Sequence, residues 1–131
     1  MTVHIRVESE CLDPEDIRKS VDLTGCGSIV SFVGVTRESE GGSKVERLEF
    51  EAWEEKLPSV LEELANRAIS TFSVKSIVIA HRTGSVEPRE PIVCIHVASK
   101  HREEGFSACS WLISELKGQA PLWKKEIRED G

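Results

Sequence analysis

Val74-Lys75-Ser76-Ile77-Val78-Ile79-Ala80-His81-Arg82 and Pro91-Ile92-Val93-Cys94-Ile95-His96-Val97-Ala98-Ser99-Lys100 are two runs rich in β-branched residues, separated by a connection holding Gly84 and Pro88. Each run has the composition of a buried strand. A connection this short joins antiparallel neighbours, because a parallel crossover needs a dozen or more residues and usually a helix. Outward from this pair, predicted strands and helices do not alternate regularly. The expected fold class is therefore α+β with an antiparallel sheet rather than a doubly wound parallel fold. A chain of 131 residues is about the size of one ordinary domain, and no linker, repeat or low-complexity stretch divides it, so residues 1–131 are expected to form a single domain.

Toward the amino terminus, Val3, Ile5 and Val7 alternate with polar residues at the period of a half-buried strand. Asp13 followed by Pro14 has the form of an N-cap with proline in the first turn and predicts a short helix through Lys19. Ser28 to Val35 reads as a largely buried strand that ends at Thr36-Arg37. Glu38 to Ser43 reads as a flexible loop; its Gly41-Gly42 pair lacks the following lysine-serine or lysine-threonine and the helix that a phosphate cradle requires. A strand is expected over Val45–Trp53. Leu57, Val60, Leu61, Leu64, Ala65, Ala68, Ile69 and Phe72 then recur at helical spacing, predicting an amphipathic helix over 56–72. A last helix over Glu103–Gly118 is expected to bury Phe106, Cys109, Leu112, Ile113 and Leu116, after which Pro121 forces an extended tail to Ile127.

The net charge of −6 disfavours general binding to a nucleic-acid backbone or an anionic membrane, so any anion site must be local. Cys11, Cys26, Cys94 and Cys109 stand singly at wide spacings, which fits reduced and mostly buried thiols rather than a metal site. Without a leader-like amino terminus or a run of about 20 apolar residues, a soluble cytoplasmic protein is expected. A serine-hydrolase elbow, a zinc-protease motif and a dinucleotide fingerprint are all missing, which disfavours a serine hydrolase, a zinc protease and an NAD enzyme.

Candidate chemistry concentrates near the carboxyl terminus. Lys117 lies eleven residues after Phe106 and hence about 20° from it around the helix, on or beside the expected apolar face. On geometry alone the favoured explanation of such a lysine is snorkelling, with its methylenes covering core and its ammonium reaching water. In the tail, extended geometry sends Lys124 and Glu126 to one side and Trp123 and Lys125 to the other. His101-Arg102 falls where a strand meets a helix and Arg37 where a buried strand gives way to a loop, positions at which a guanidinium fork and an imidazole can share an anion. His81-Arg82 repeats the dipeptide at an earlier strand end, where a structural role is favoured, and His4 and His96 read as packed or surface imidazoles.

In order and spacing, Phe32-Val33-Gly34-Val35-Thr36-Arg37, Glu51-Ala52-Trp53-Glu54, His81-Arg82-Thr83-Gly84, His101-Arg102-Glu103-Glu104-Gly105-Phe106, Leu116-Lys117 and Pro121-Leu122-Trp123-Lys124-Lys125-Glu126 resemble the large, catalytic subunit of molybdopterin synthase, the MoaE family, from about Gly27 to Glu126. The resemblance implies an α/β hammerhead-type fold and a homodimer carrying a small ubiquitin-like (MoaD-like) sulfur-carrier subunit at each end, a heterotetramer. The carrier's Gly-Gly terminus, as a thiocarboxylate, would donate sulfur to cyclic pyranopterin monophosphate and build the molybdopterin dithiolene. It further implies that Lys117 and Lys124 are catalytic, with Lys117 polarising the thiocarboxylate and Lys124 orienting the tail or exchanging protons. Arg37, His101 and Arg102 would hold the phosphate, at a site to which both subunits of the dimer can contribute. Val35, Thr36, Lys125 and Glu126 would border the substrate, and the resemblance implies that these roles need neither a metal nor a bound cofactor.

The chain departs from the family pattern at several places. Phe50 and Trp53 stand where tyrosine is usual, Lys56-Leu57 where Met-Ala is common, Arg89-Glu90 where Gly-Glu is, and Gly105-Phe106 where Ala-Phe is. A non-catalytic carrier-binding module of the same fold would be expected to lack Lys117 or Lys124, and an unrelated phosphate-ester hydrolase would work without a carrier.

Overall fold

A computed structural model describes residues 2–37, 39–40 and 43–128. Its elements run β1 (Thr2–Glu8), α1 (Pro14–Arg18), β2 (Ser28–Val35), β3 (Ser39–Glu40), β4 (Ser43–Ala52), α2 (Leu57–Phe72), β5 (Ser76–Arg82), β6 (Gly84–Val86), β7 (Pro91–Ser99), α3 (Arg102–Gln119) and β8 (Leu122–Arg128).

The two runs that set the fold class pair antiparallel as β5 and β7, with Ile77 opposite Val97 and Ile79 opposite Ile95. They form the centre of a sheet ordered β1-β5-β7-β2. β2 joins β7 antiparallel, whereas β1 runs parallel to β5, an exception to the antiparallel expectation made possible by the long intervening chain that carries α2. Alternation assigns the two faces of this sheet. Ile77, Ile79, Ile95 and Val97 meet α2 and α3 in the main core, while Val78, Ala80, Cys94 and Ala98 meet Leu12, Ile17 and Val21 around α1.

α2 opens with Pro58 in its first turn and closes at Ser73 in the left-handed region, φ 59°. Leu57, Leu61, Leu64, Ala65, Ala68 and Ile69 form its buried stripe, the face predicted from their spacing. Asp13 caps α1, its side chain accepting from the Asp16 N–H. α3 differs from expectation. Its buried residues are Gly105, Ala108, Cys109 and Leu112, and Phe106 is 60% exposed. The helix sits so close to the sheet that a Cβ on Gly105 would lie 3.1 Å from Val30 Cγ2 and 3.0 Å from Ser99 Oγ. Small residues therefore take the contact line and Phe106, one position on, is rotated outward.

A second sheet has the order β3-β4-β6, with β8 also paired to β4. Three expectations change here. The loop expected over 38–43 contains the two-residue strand β3, paired with Ser43 and Lys44, while Glu38, Gly41 and Gly42 lie outside the described residues. The Gly84 connection contains β6, which pairs with β4. The extended tail is β8, which runs antiparallel to β4 with Phe50 opposite Lys124 and Glu49 opposite Lys125. A single strand buries nothing, so the tail becomes regular only by completing this ladder.

All four cysteines are free, yet only Cys94 and Cys109 are buried; Cys11 is exposed and Cys26 half-buried, against the expectation of mostly buried thiols. Burial pushes the Cys94 and Cys109 thiols up to about 11. Among the described residues no helix is long and apolar enough to cross a membrane, and no group of three His, Cys, Asp or Glu could hold a metal ion.

Candidate active site

The cleft arises where the two sheets meet beneath the carboxyl-terminal end of α3. Its inner part, about 450 Å³, is walled by Phe32, Gly34, Val93 and Ile95 of the first sheet, Phe50 and Leu122 of the second, and Ile113 and Leu116 of α3. Among the described residues, the ionisable side chains that reach it are His81, Lys117 and Lys124. Its outer part, about 470 Å³, shares Phe32, Gly34, Phe50, Ile92, Lys117 and Lys124 with the inner part and adds Val35, Thr36, Arg37 and Glu126. The two lysines thus stand between an apolar chamber and a polar mouth.

Local structure explains how each group arrives. Lys117 is in the last turn of α3, where a cation suits the helix dipole. It shares its helical direction with Phe106, but that direction is exposed rather than buried, so Lys117 overhangs the cleft instead of snorkelling from the core. Lys124 and Glu126 occupy the cleft face of β8, with Lys124 Nζ 4.0 Å from Glu126 Oε1, and Arg128 Nη2 donates to Glu126 Oε2 at 2.9 Å. The 4.0 Å pair is half exposed and contributes little to stability, but it aims the lysine.

At the other wall β2 bends. Its register shifts between Gly34 and Val35, and the bulge turns the following residues toward the mouth. A Cβ on Gly34 would meet Val93 Cγ1 at 2.8 Å, so only glycine fits this wall without displacement. Thr36 is buried and donates its hydroxyl to Glu87 O at 2.5 Å, while its backbone exchanges hydrogen bonds with Glu90 and Arg89. It therefore latches the end of β2 to the β6–β7 turn and leaves the exposed Arg37 as the cation of the mouth.

Not every candidate converges. Lys125 faces away, opposite Glu49, and lines neither part of the cleft. His101 is the N-cap of α3, without a side-chain capping bond, and Arg102 lies 3.9 Å from Glu103. Both border a separate polar hollow with Gly27, Ser28 and Lys100. Arg102 and Lys117 are at opposite ends of one rigid helix, roughly 22 Å apart along its axis. A single chain cannot bring them to one ligand.

His81, for which a structural role is favoured from the sequence, lines the inner chamber. It occupies an odd position of β5 and so shares the helix-side face with Ile77 and Ile79, whereas Arg82 turns to the other face, where it contacts Ser85 O and Glu90. The His81 ring meets Phe50 edge to face at 5.9 Å, and its Nδ1 lies 2.7 Å from Arg82 O. Burial lowers its pKa from the ordinary 6.5. Strand parity carried the signal, but it could point to a site only once α3 and β8 were known to close over that face. His96, by contrast, is packed structure, its Nδ1 2.7 Å from Ser31 Oγ.

The model of the MoaE protein family matches residues 7–119. The molybdopterin synthase catalytic subunit of Pyrococcus abyssi is 37% identical over 123 residues, covering 90% of this chain and 83% of that protein. The Bacillus subtilis protein of the same name is 35% identical over 120 residues, covering 92% and 76%. The crystal structure of molybdopterin synthase from Staphylococcus aureus superposes with a TM-score of 0.91 at 31% identity over 96% of this chain and 92% of that one. A protein–protein complex of subunits 1 and 2 of molybdopterin-converting factor from Helicobacter pylori, 20% identical with a TM-score of 0.77 over 98% and 86%, shares the fold. With the family model spanning most of the chain and relatives this similar over nine-tenths of it, the chain belongs to the MoaE protein family of molybdopterin synthase catalytic subunits and is an enzyme subunit of molybdenum cofactor biosynthesis.

Proposed function

We propose that the cleft transfers sulfur from the thiocarboxylated Gly-Gly terminus of a small ubiquitin-like, MoaD-like carrier to cyclic pyranopterin monophosphate, forming the molybdopterin dithiolene in two rounds. The observation that carries this reading is the placement of Lys117 and Lys124 at the junction of a narrow apolar chamber and a polar mouth. A diglycine tail has no side chains to exclude and suits the chamber, while an anionic pterin suits the mouth with Arg37. Lys117 stabilises the oxyanion that forms on the acyl carbon as sulfur leaves, and a donor in such an apolar site is worth more than in water. Lys124, steered by Glu126, holds the tail or exchanges a proton with the pterin. Val35 and Thr36 border the pterin.

His101 and Arg102 complete the phosphate site from the partner copy in a homodimer, since their own chain holds them at the far end of α3. The carrier docks at each end of that dimer, giving a heterotetramer. Two-subunit assembly is also the state of the H. pylori fold relative. Lys125, on the opposite face of β8, takes no direct part.

Reconstitution tests the reading: purified chain, thiocarboxylated carrier and cyclic pyranopterin monophosphate are mixed and dithiolene formation is followed. Product that requires both the chain and the thiocarboxylate supports it. A folded chain that binds carrier yet makes no product points instead to a non-catalytic carrier-binding module.

A further inference from the structure

Sulfur leaving a thiocarboxylate poses a question of proton balance that the two lysines do not answer. Once sulfur has bonded to the acceptor carbon, the carrier's acyl group is still attached to it as a thioester. Release needs a water oxygen to bond to the acyl carbon, the carbon–sulfur bond to break with its electron pair going to sulfur, and a proton of the water to be taken up. An ammonium group offers donors and no lone pair. Among the described residues, the ionisable side chain that shares the inner chamber with the two lysines is His81.

We infer that His81, through Nε2, is the general base that takes the proton from the water releasing sulfur from the carrier's acyl carbon. This inference rests on the sulfur-transfer reading above. The ring's other nitrogen lies 2.7 Å from Arg82 O, and a carbonyl only accepts, so Nδ1 carries the hydrogen and Nε2 carries the lone pair. The Phe50 ring, edge to face at 5.9 Å, fixes the plane of the imidazole. The charged groups that share the chamber with it are Lys117 from α3 and Lys124 from β8; the Arg82 guanidinium, next on its own strand, turns to the other face toward Glu90, and β2, β4 and β7 present apolar walls. Burial disfavours the imidazolium and outweighs the opposing pull of the hydrogen bond to the Arg82 carbonyl, so the base is in its working form at neutral pH. A neutral acceptor facing two cationic donors across an apolar chamber divides the labour: the lysines stabilise negative charge on the acyl oxygen, and the histidine removes the proton.

The test uses the reconstituted reaction with wild type, His81→Gln and His81→Ala, measuring kcat, carrier affinity and the pH profile. His81→Gln is expected to lower kcat by about 100-fold or more at unchanged carrier affinity. Wild-type kcat should fall on acidification through a single protonation below pH 6.5, a limb missing from His81→Gln. Added imidazole should restore part of the rate of His81→Ala. A His81→Gln enzyme within about threefold of wild-type kcat, a loss confined to carrier affinity, or an unchanged acid limb overturns the assignment. If the variants fail to fold, the wild-type profile decides alone, and a flat acid side overturns it. Absence of product with wild type sinks the sulfur-transfer reading and this assignment together; product with wild type and an unaffected His81→Gln sinks only the assignment.

Discussion

Lys124 of β8 lies directly opposite Phe50 of β4, and this pairing, made between residues 74 positions apart in the chain, sets a charged side chain against the aromatic wall of an apolar chamber. Neighbouring pairs in the same ladder alternate sides, so Lys124 and Lys125 meet different surroundings although they are adjacent in sequence.

That alternation separates their roles. Lys117→Ala and Lys124→Ala are expected to fold normally and to lower product formation by about 100-fold or more, the scale of losing one oxyanion donor. Lys125→Ala should stay within about threefold of wild type, as a surface change. Equal losses at Lys124 and Lys125 in the reconstituted assay would contradict the register.

Gly34 is held by a close approach rather than by its backbone angles. Gly34→Ala drives a Cβ to 2.8 Å from Val93 Cγ1 and is expected to cost about 1–3 kcal/mol in urea unfolding. Adding Val93→Ala should return part of that loss, with a coupling of at least about 0.5 kcal/mol in the double-mutant cycle. Strict additivity of the two changes would mean that the wall of the cleft is looser than described.

Arg89 has φ 72°, a left-handed conformation that suits glycine, which gives a physical reason for the Gly-Glu pattern from which this chain departs. Arg89→Val should be less stable than Arg89→Gly by about 1–2 kcal/mol. The comparison of denaturation midpoints between these two variants checks it.

Thiol chemistry should divide the cysteines by burial. A brief exposure of the folded protein to an alkylating reagent is expected to label Cys11 and Cys26 and to spare Cys94 and Cys109, read by peptide mass spectrometry. Because burial raises the last two from 9.0 to about 11, their folded state holds its protons more tightly than the unfolded chain. The associated stability is fully present below pH 9.0 and is lost as pH climbs through about 11.

His81 and His96 work in the other direction. Burial depresses both below 6.5, so the unfolded chain binds protons that the folded chain resists. Their contribution is present above pH 6.5 and disappears as pH falls through the depressed values. Urea midpoints should therefore drop on mild acidification, and His96→Gln should flatten that drop; an unaltered slope would place the acid sensitivity elsewhere.

Much of this protein was legible from residue order. Spacing at three and four residues located α2 and its buried face, β-branched runs located β2, β5 and β7, and the short connection fixed the antiparallel β5–β7 pair. These signals are local, since a period is a property of one segment. A resemblance carried by motif order singled out Lys117 and Lys124, which line one cleft. What failed to read were features that depend on how closely two segments approach. Phe106 was expected inside because it is large and apolar, but the Gly105–Ala108 line lets α3 sit tightly on the sheet and turns it out.

By itself the sequence determined the class of the fold, its main strands and helices, and, through motif order, the family. The tertiary structure alone decided that Lys117, Lys124 and Arg37 share one cleft, that His81 opens into it, that Lys125 does not, and that His101 and Arg102 belong to a different surface. The reason is physical: periodicity states which side of an element a residue occupies, whereas which elements face each other across a cleft is fixed only when strands far apart in sequence pair and helices settle on them.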